Sequence, residues 1–353
     1  MKKRVAILEI GGSHDECILS QLIGLKHAGA TIYFCSTKAM IDRNPHFHNY
    51  VDHFYEVKLP QKAIGDFLVM KNLNKWFVKN KIEVVVCNTA QGGHIRNLTL
   101  TSPKHIKFFG IIHTIKMLDG RFTQKLISLK IKDYFILNDT LIERSMKPKG
   151  IQLHSFYPLD FPHFNFQTEK PETDFWVAII GGVENRRKDL TGLIDIIRNT
   201  PNNVKFHLLG KSDKAHPEVL AFLNQLKQYQ LEDRVVWFDR FLSQEEFDGY
   251  LQNADAILPL VHPNTPSADE YFNRQISGAI NVAFAYKVPM MIHEAYANWE
   301  DFRSGVVFYN ATNFDEQWKS FQQNIKKLKS ELESNPKFNS TIQNQQFAKI
   351  VLA

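Results

Sequence analysis

Cysteine is scarce in this 353-residue chain: Cys17, Cys35 and Cys87 are far apart and odd in number. That pattern excludes a disulfide scaffold and a cysteine zinc site, and it suits a reducing compartment. Long apolar runs are also missing, and none approaches the roughly 18 residues of a membrane-spanning helix. The basic start Lys2-Lys3-Arg4 leads into only Val5–Ile10 before Gly11, Gly12, His14, Asp15 and Glu16, so no signal peptide is expected and a cytoplasmic location is. The signatures G-x-G-x-x-G, H-E-x-x-H, G-x-S-x-G and a D-x-D carboxylate pair do not occur. Gly210-Lys211-Ser212 ends like a phosphate loop, but Lys205 stands where the first glycine belongs. Conventional dehydrogenases, zincins, α/β-hydrolases, P-loop NTPases and metal-dependent transferases thereby lose their usual signals, and no metal site is expected. Nor is there a strong excess of one charge. Forty-three basic against 37 acidic residues leave +6. That balance suits a polyanionic ligand or weak peripheral attraction to the inner, anionic face of a membrane, and not a nucleic-acid binder.

What is present is an alternation of strands and helices. Continuous apolar runs predict strands at Val5–Ile10, Thr31–Ser36, Ile82–Cys87, Phe108–Ile112 and Tyr134–Leu137, with helices over Asp15–Gly29 and Lys62–Lys81. Runs without polar alternation mean that both sheet faces are covered, which predicts a parallel, doubly wound sheet. Ser155–Asp174, with Pro158, Pro162 and Pro171, reads as a linker. The pattern restarts at Trp176–Gly182, with strands at Val204–Leu209, Val235–Phe238, Ala256–Leu260, Val288–His293 and Val306–Tyr309. The expected organisation is a Rossmann-like domain over 1–160, a second over 174–335, and a terminal helix at 336–353 packing back on the first. The charges of Lys319–Glu333 read as a solvated helix face.

In open parallel sheets ligands bind beyond the carboxyl ends of strands. In the first half, Gly11–Glu16 follows the first strand: glycines admit a ligand, and His14 or Asp15 offers a base. The same segment serves as a turn with Ser13 or Asp15 capping the helix. Asn88–His94 suits hydroxyl recognition or a second turn, and His113, ending a buried strand, is either a ligand contact or a satisfied core histidine. In the second half, Gly181-Gly182 leads to Arg186, Arg187 and Lys188, a cationic loop placed to meet a diphosphate. Ser277 reads as the N-cap of an apolar helix over Ala279–Tyr286, with Gly278 leaving its first turn unobstructed, and that N-terminus can face phosphate without a metal, or the segment is a simple capped core helix. Glu270 lies shortly before it.

The second half resembles the C-terminal domain of GT-B-fold glycosyltransferases of the bacterial group 1/group 4-like kind. The matching residues are Ala178–Gly182 with Lys188, His207–Gly210, Val236–Phe238 with Phe241, Ala254–Pro259, and Ser277-Gly278 leading to Val288-Pro289. The first half is similar in outline, through its glycine loop and His113. The resemblance implies two Rossmann-like doubly wound parallel-sheet domains facing across a cleft, with the acceptor on the first and the donor on the second. It implies a metal-independent enzyme that needs no cofactor beyond its donor, a nucleotide-diphosphate sugar, UDP-linked. The acceptor would be a hydroxyl of a saccharide or lipid-linked saccharide, in surface polysaccharide or glycoconjugate synthesis. Gly182, Arg186, Arg187, Lys188, Gly210, Ser277 and Gly278 would surround the nucleotide diphosphate, and Phe241 and Leu242 would border the base. Retaining members carry a spaced pair of glutamates before the Pro-Val/Ile strand. Counting back from Pro289 puts Arg274 and Val282 there, with Glu270 nearby as a partial substitute. If inverting, His14 or Asp15 is the base; if retaining, His113 contacts the sugar. The alternatives are a sugar-nucleotide epimerase of the same fold and a non-catalytic nucleotide-sugar binder. Oligomeric state is not legible in the sequence.

Overall fold

The structure, a computed structural model, describes residues 2–60, 63–166 and 168–353. The chain forms two compact units. The first runs to Phe161 and takes in Asn339–Ala353, and the second is Pro162–Phe338.

The first unit holds seven strands: β1 (Arg4–Glu9), β2 (Thr31–Ser36), β3 (His53–Glu56), β4 (Val84–Cys87), β5 (Lys107–Ile112), β6 (Asp133–Ile136) and β7 (Gln152–Ser155). Every pairing is parallel, in the order β3-β2-β1-β4-β5-β6-β7. Val84–Cys87 is buried throughout and β1 is buried from Val5 on, as strands covered on both faces require. β4 starts later than its apolar run because Lys81 adopts a left-handed φ of 55° and the Ile82 amide bonds back to the Phe77 carbonyl, closing helix Ala63–Lys79. The expected helix start at Lys62 lies outside the described residues. The terminal helix Ser340–Leu352 packs on helix Ile18–His27. They meet so closely at Gly24 that a Cβ there would lie 2.7 Å from the Asn344 carbonyl oxygen, so only glycine fits.

The second unit has six parallel strands: β8 (Phe175–Ile180), β9 (Val204–Lys211), β10 (Val235–Phe238), β11 (Ala256–Ile257), β12 (Met290–His293) and β13 (Val306–Tyr309). Their order is β10-β9-β8-β11-β12-β13. Its core joins Val177, Ile179, Leu193, Ile197, Phe206, Leu208 and Leu258 to Phe314, Trp318 and Phe321 of helix Phe314–Ser334. Each such buried side chain contributes roughly 1.5–3 kcal/mol. The helix turns its lysines to solvent, and among the described residues no helix is long and apolar enough to cross a membrane.

The strand order reverses between β1 and β4 in one unit and between β8 and β11 in the other. In open sheets of this kind ligands bind beyond the strand ends at such a reversal.

Candidate functional site

At the first reversal, β1 ends in Glu9, whose buried carboxylate links two loops. It accepts hydrogen bonds from the Gly11 amide (2.5 Å), the Asn88 side chain (2.8 Å) and the Thr89 hydroxyl (2.6 Å). Burial raises its pKa despite those bonds. Asn88, fully buried, also donates to the His14 carbonyl (2.9 Å) and accepts from Gln21 (2.7 Å). Its backbone carbonyl accepts from His113 Nε2 at 2.7 Å. The polar atoms of Asn88, read from sequence as suited to hydroxyl recognition, thus all meet protein partners.

These bonds bring His14 and His113 together. His14 takes a left-handed φ of 65° at the start of the Asp15–Cys17 turn and stacks on the His113 ring. Its Nδ1 lies 3.2 Å from Glu16 Oε1. Burial works to lower the His14 pKa, but the Glu16 bond and charge, with Glu9 and Asp15, outweigh it and the pKa is raised. The pKa of half-exposed Glu16 is correspondingly lowered, its partial desolvation outweighed chiefly by the His14 bond. His113 is pushed down to about 4 by burial and then by the His14 charge. Since Nε2–H donates to Asn88, its Nδ1 is the unprotonated nitrogen, buried and without a protein partner. Asp15 is held differently: Arg43 grips both its oxygens at 3.0 Å, and Asn44 adds a third bond.

At the second reversal, Gly181, with φ 95°, and Gly182 turn the chain out of β8. Gly210 lies against this turn, where a Cβ would sit 2.2 Å from the Gly181 carbonyl oxygen. Arg186 and Arg187 are exposed and both reach Glu184, at 3.2 and 2.7 Å. Lys188 turns inward. It is 4% exposed, its Nζ donates to the Ile180 carbonyl at 2.6 Å, and burial, with Arg187, lowers its pKa to about 8. Asp189 caps helix Leu190–Arg198 through the Gly192 amide (2.9 Å) and accepts from His262 (2.8 Å) and Asn264 (3.1 Å). These bonds overcome burial and hold its pKa near 2.

Ser277 precedes helix Gly278–Tyr286, one residue earlier than the sequence suggests. Its side chain makes no capping hydrogen bond, contrary to the expectation that it caps the helix. Its backbone is extended, and its own carbonyl takes the Ile280 amide instead. Phe241 is 78% exposed and Leu242 half-buried, just before helix Gln244–Gln252. Half-buried Glu270 lies in the short helix Ala268–Asn273, where its carbonyl receives the Arg274 amide. Arg274 pairs with Asp269 and Val282 is buried, and neither side chain carries a carboxylate. Among the described residues no group of three or more His, Cys, Asp and Glu side chains could hold a metal ion. Sequence reasoning passed over Glu9, Glu16 and His262, whose partners are brought to them by the sheets and by tight turns.

No protein-family model and no curated protein matches the sequence. Solved structures do match over nearly the whole chain. A glycosyltransferase from Rickettsia africae superposes with a TM-score of 0.68 at 11% identity, covering 99% of this chain and 98% of that one. The Anabaena protein HepE, in complex with UDP and glucose, gives 0.66 at 13% identity, with 99% of each chain covered. A putative UDP-N-acetylglucosamine 2-epimerase from Listeria monocytogenes gives 0.63 at 11%, covering 98% and 95%. The architecture shared with them is the GT-B fold, built from two Rossmann-like domains.

Proposed function

We propose that this chain transfers a sugar from a nucleotide-diphosphate sugar, with UDP as the departing group, to a hydroxyl of a saccharide or lipid-linked saccharide. The observation that carries this reading is the loop Gly181–Lys188 at the strand-order reversal of the second unit. There a glycine turn presents the exposed guanidinium groups of Arg186 and Arg187. Planar forks of this kind recognise phosphate oxygens, and such donors stabilise the charge that develops on a departing diphosphate. The helix opened by Ser277 and Gly278 adds its N-terminal dipole, and Phe241 offers an exposed ring to the base. The fold shared with HepE, whose structure contains UDP and glucose, supports the same reading.

On the first unit His14 is the general base. Glu16 holds Nδ1–H, which leaves Nε2 to take the proton of the acceptor hydroxyl. The acceptor oxygen then bonds to the anomeric carbon as the bond from that carbon to the diphosphate breaks, releasing UDP. Asp15, tied by Arg43, is the weaker candidate for this task. His113, neutral and stacked on His14, is the residue of this unit assigned to the sugar.

The test is a panel of UDP-sugars with mixed glycoside acceptors, read by chromatography of all nucleotides. Acceptor-dependent release of UDP is expected. A new sugar nucleotide without UDP would make the protein an epimerase, and unchanged donors would make it a binder.

A further inference from the structure

The diphosphate loop has one internal turn, in which the Arg187 and Lys188 amides donate to the Glu184 carbonyl, and the Val183 amide ties it to the end of β9. The loop contains two glycines, and its two exposed arginines lean on a single carboxylate, Glu184. The loop after β11 adds two further ties from outside. The Asp189 amide donates to the Leu260 carbonyl (3.0 Å), and the Ser267 amide donates to the Arg186 carbonyl (3.0 Å). Leu260 takes a left-handed φ of 57° as the chain makes the first of these ties.

Between them sits His262. Its Nδ1 lies 2.8 Å from Asp189 Oδ2, and its Nε2 lies 2.6 Å from the Tyr309 hydroxyl at the end of β13. The Asp189 carboxylate can only accept, so Nδ1–H donates to it. One imidazole therefore joins the loop after β8, the loop after β11 and the end of β13. The ring also lines a cavity of about 350 Å³ with Asn264, His293, Tyr309 and Phe314. The ring packs against His293 and Tyr309, and its two hydrogen bonds set its orientation between them.

We propose that His262 is a positioning residue for nucleotide-diphosphate binding: through Asp189 and Tyr309 it locks the loop that carries Arg186 and Arg187. The proposal rests on the donor reading above. It concerns the diphosphate alone, because the base is assigned to the neighbourhood of Phe241, which makes no part of these ties.

The experiment compares UDP with uridine by calorimetry on the full chain. His262→Phe keeps the ring volume and loses both bonds. UDP affinity should fall about tenfold, the lower range for losing a charge-assisted bond, with uridine affinity unchanged. His262→Asn retains a donor toward Asp189 and should recover most of the loss. Tyr309→Phe, which deletes only the distal hydroxyl, should give a smaller loss in the same direction. It decides the matter if His262→Phe does not fold. Equal falls for UDP and uridine would mean general damage to the unit and overturn the lock. So would unchanged UDP affinity in His262→Phe, or in Tyr309→Phe should that variant have to decide. A wild-type chain that fails to bind UDP would overturn the donor reading itself, and the lock with it.

Discussion

The imidazole rings of His14 and His113 stack with their centroids 3.7 Å apart and their planes within 10° of parallel. Two rings this close cannot both carry charge cheaply, and their surroundings divide the proton unequally. Glu16, Glu9 and Asp15 favour charge on His14 against the effect of burial, while burial and His14 itself keep His113 neutral down to about pH 4. A base works only when deprotonated. Turnover should therefore be lost as pH falls through a value above the ordinary imidazole pKa of about 6.5. In Glu16→Gln that acid limb should move to lower pH, since the main support for charged His14 is gone. A limb that stays in place in Glu16→Gln would separate Glu16 from the reacting group.

Substitution should distinguish the three first-unit residues by the step they damage. His14→Ala should lower turnover about 10²–10⁴-fold, the usual worth of a general base, with UDP affinity unchanged. Asp15→Asn should cost less, because its carboxylate is engaged by Arg43 and Asn44. His113→Phe keeps the stack and removes both ring nitrogens, Nε2 with its bond to the Asn88 carbonyl, and should raise KM for the sugar substrate more than it lowers kcat. Full turnover in His14→Ala together with loss in Asp15→Asn would reassign the base. Full turnover in all three would leave these loops as turns and caps.

Acid should destabilise both units, through different histidines. His207 is buried between Trp176 and Tyr250, both ring nitrogens lack a hydrogen-bond partner, and burial, aided by Lys170 and Lys205, holds its pKa near 4. Unfolded, it takes up a proton near pH 6.5, so the unfolded state binds more protons below that value. Stability is then full above about pH 6.5 and is lost progressively toward pH 4, by about 3 kcal/mol. His207→Phe should flatten this part of the denaturation profile, and His113→Phe the matching part for the first unit. Unchanged acid sensitivity in His207→Phe would show that the ring is protonated in the native state.

Chelation should leave activity intact. In the proposed site the diphosphate charge is assigned to Arg186, Arg187 and the helix beginning at Gly278, and the described residues offer no cluster of metal-ligating side chains. Turnover in excess chelator is the measurement. Complete loss restored by magnesium or manganese would contradict this arrangement.

The core strands were legible because they are buried on both faces. β1, β2, β4 and β5 are near-continuous apolar runs, and so is β8. β3 (His-Phe-Tyr-Glu) and β7 (Gln-Leu-His-Ser) were not, because each is a short strand at a sheet edge with polar residues and partial exposure. At the site, glycine turns and the cation run stood out because their residue types are informative where they occur. The Glu16–His14 contact depends on a left-handed residue, which sequence spacing does not reveal. The joining of Asp189, His262 and Tyr309 depends on β8, β11 and β13 ending at the same edge of one parallel sheet, with β12 between the last two. Lys188 shows the opposite limit: its charge was visible, but not its inward turn onto the Ile180 carbonyl.

A crystal structure of the chain with UDP tests the central claim most directly. The account predicts diphosphate density against the guanidinium groups of Arg186 and Arg187 and the first amides of helix Gly278–Tyr286, with the base beside Phe241. In the matching titration Arg186→Ala with Arg187→Ala should weaken UDP binding by about 1.5–3 kcal/mol per lost contact. Diphosphate density elsewhere, or UDP affinity unchanged in the double variant, would contradict it.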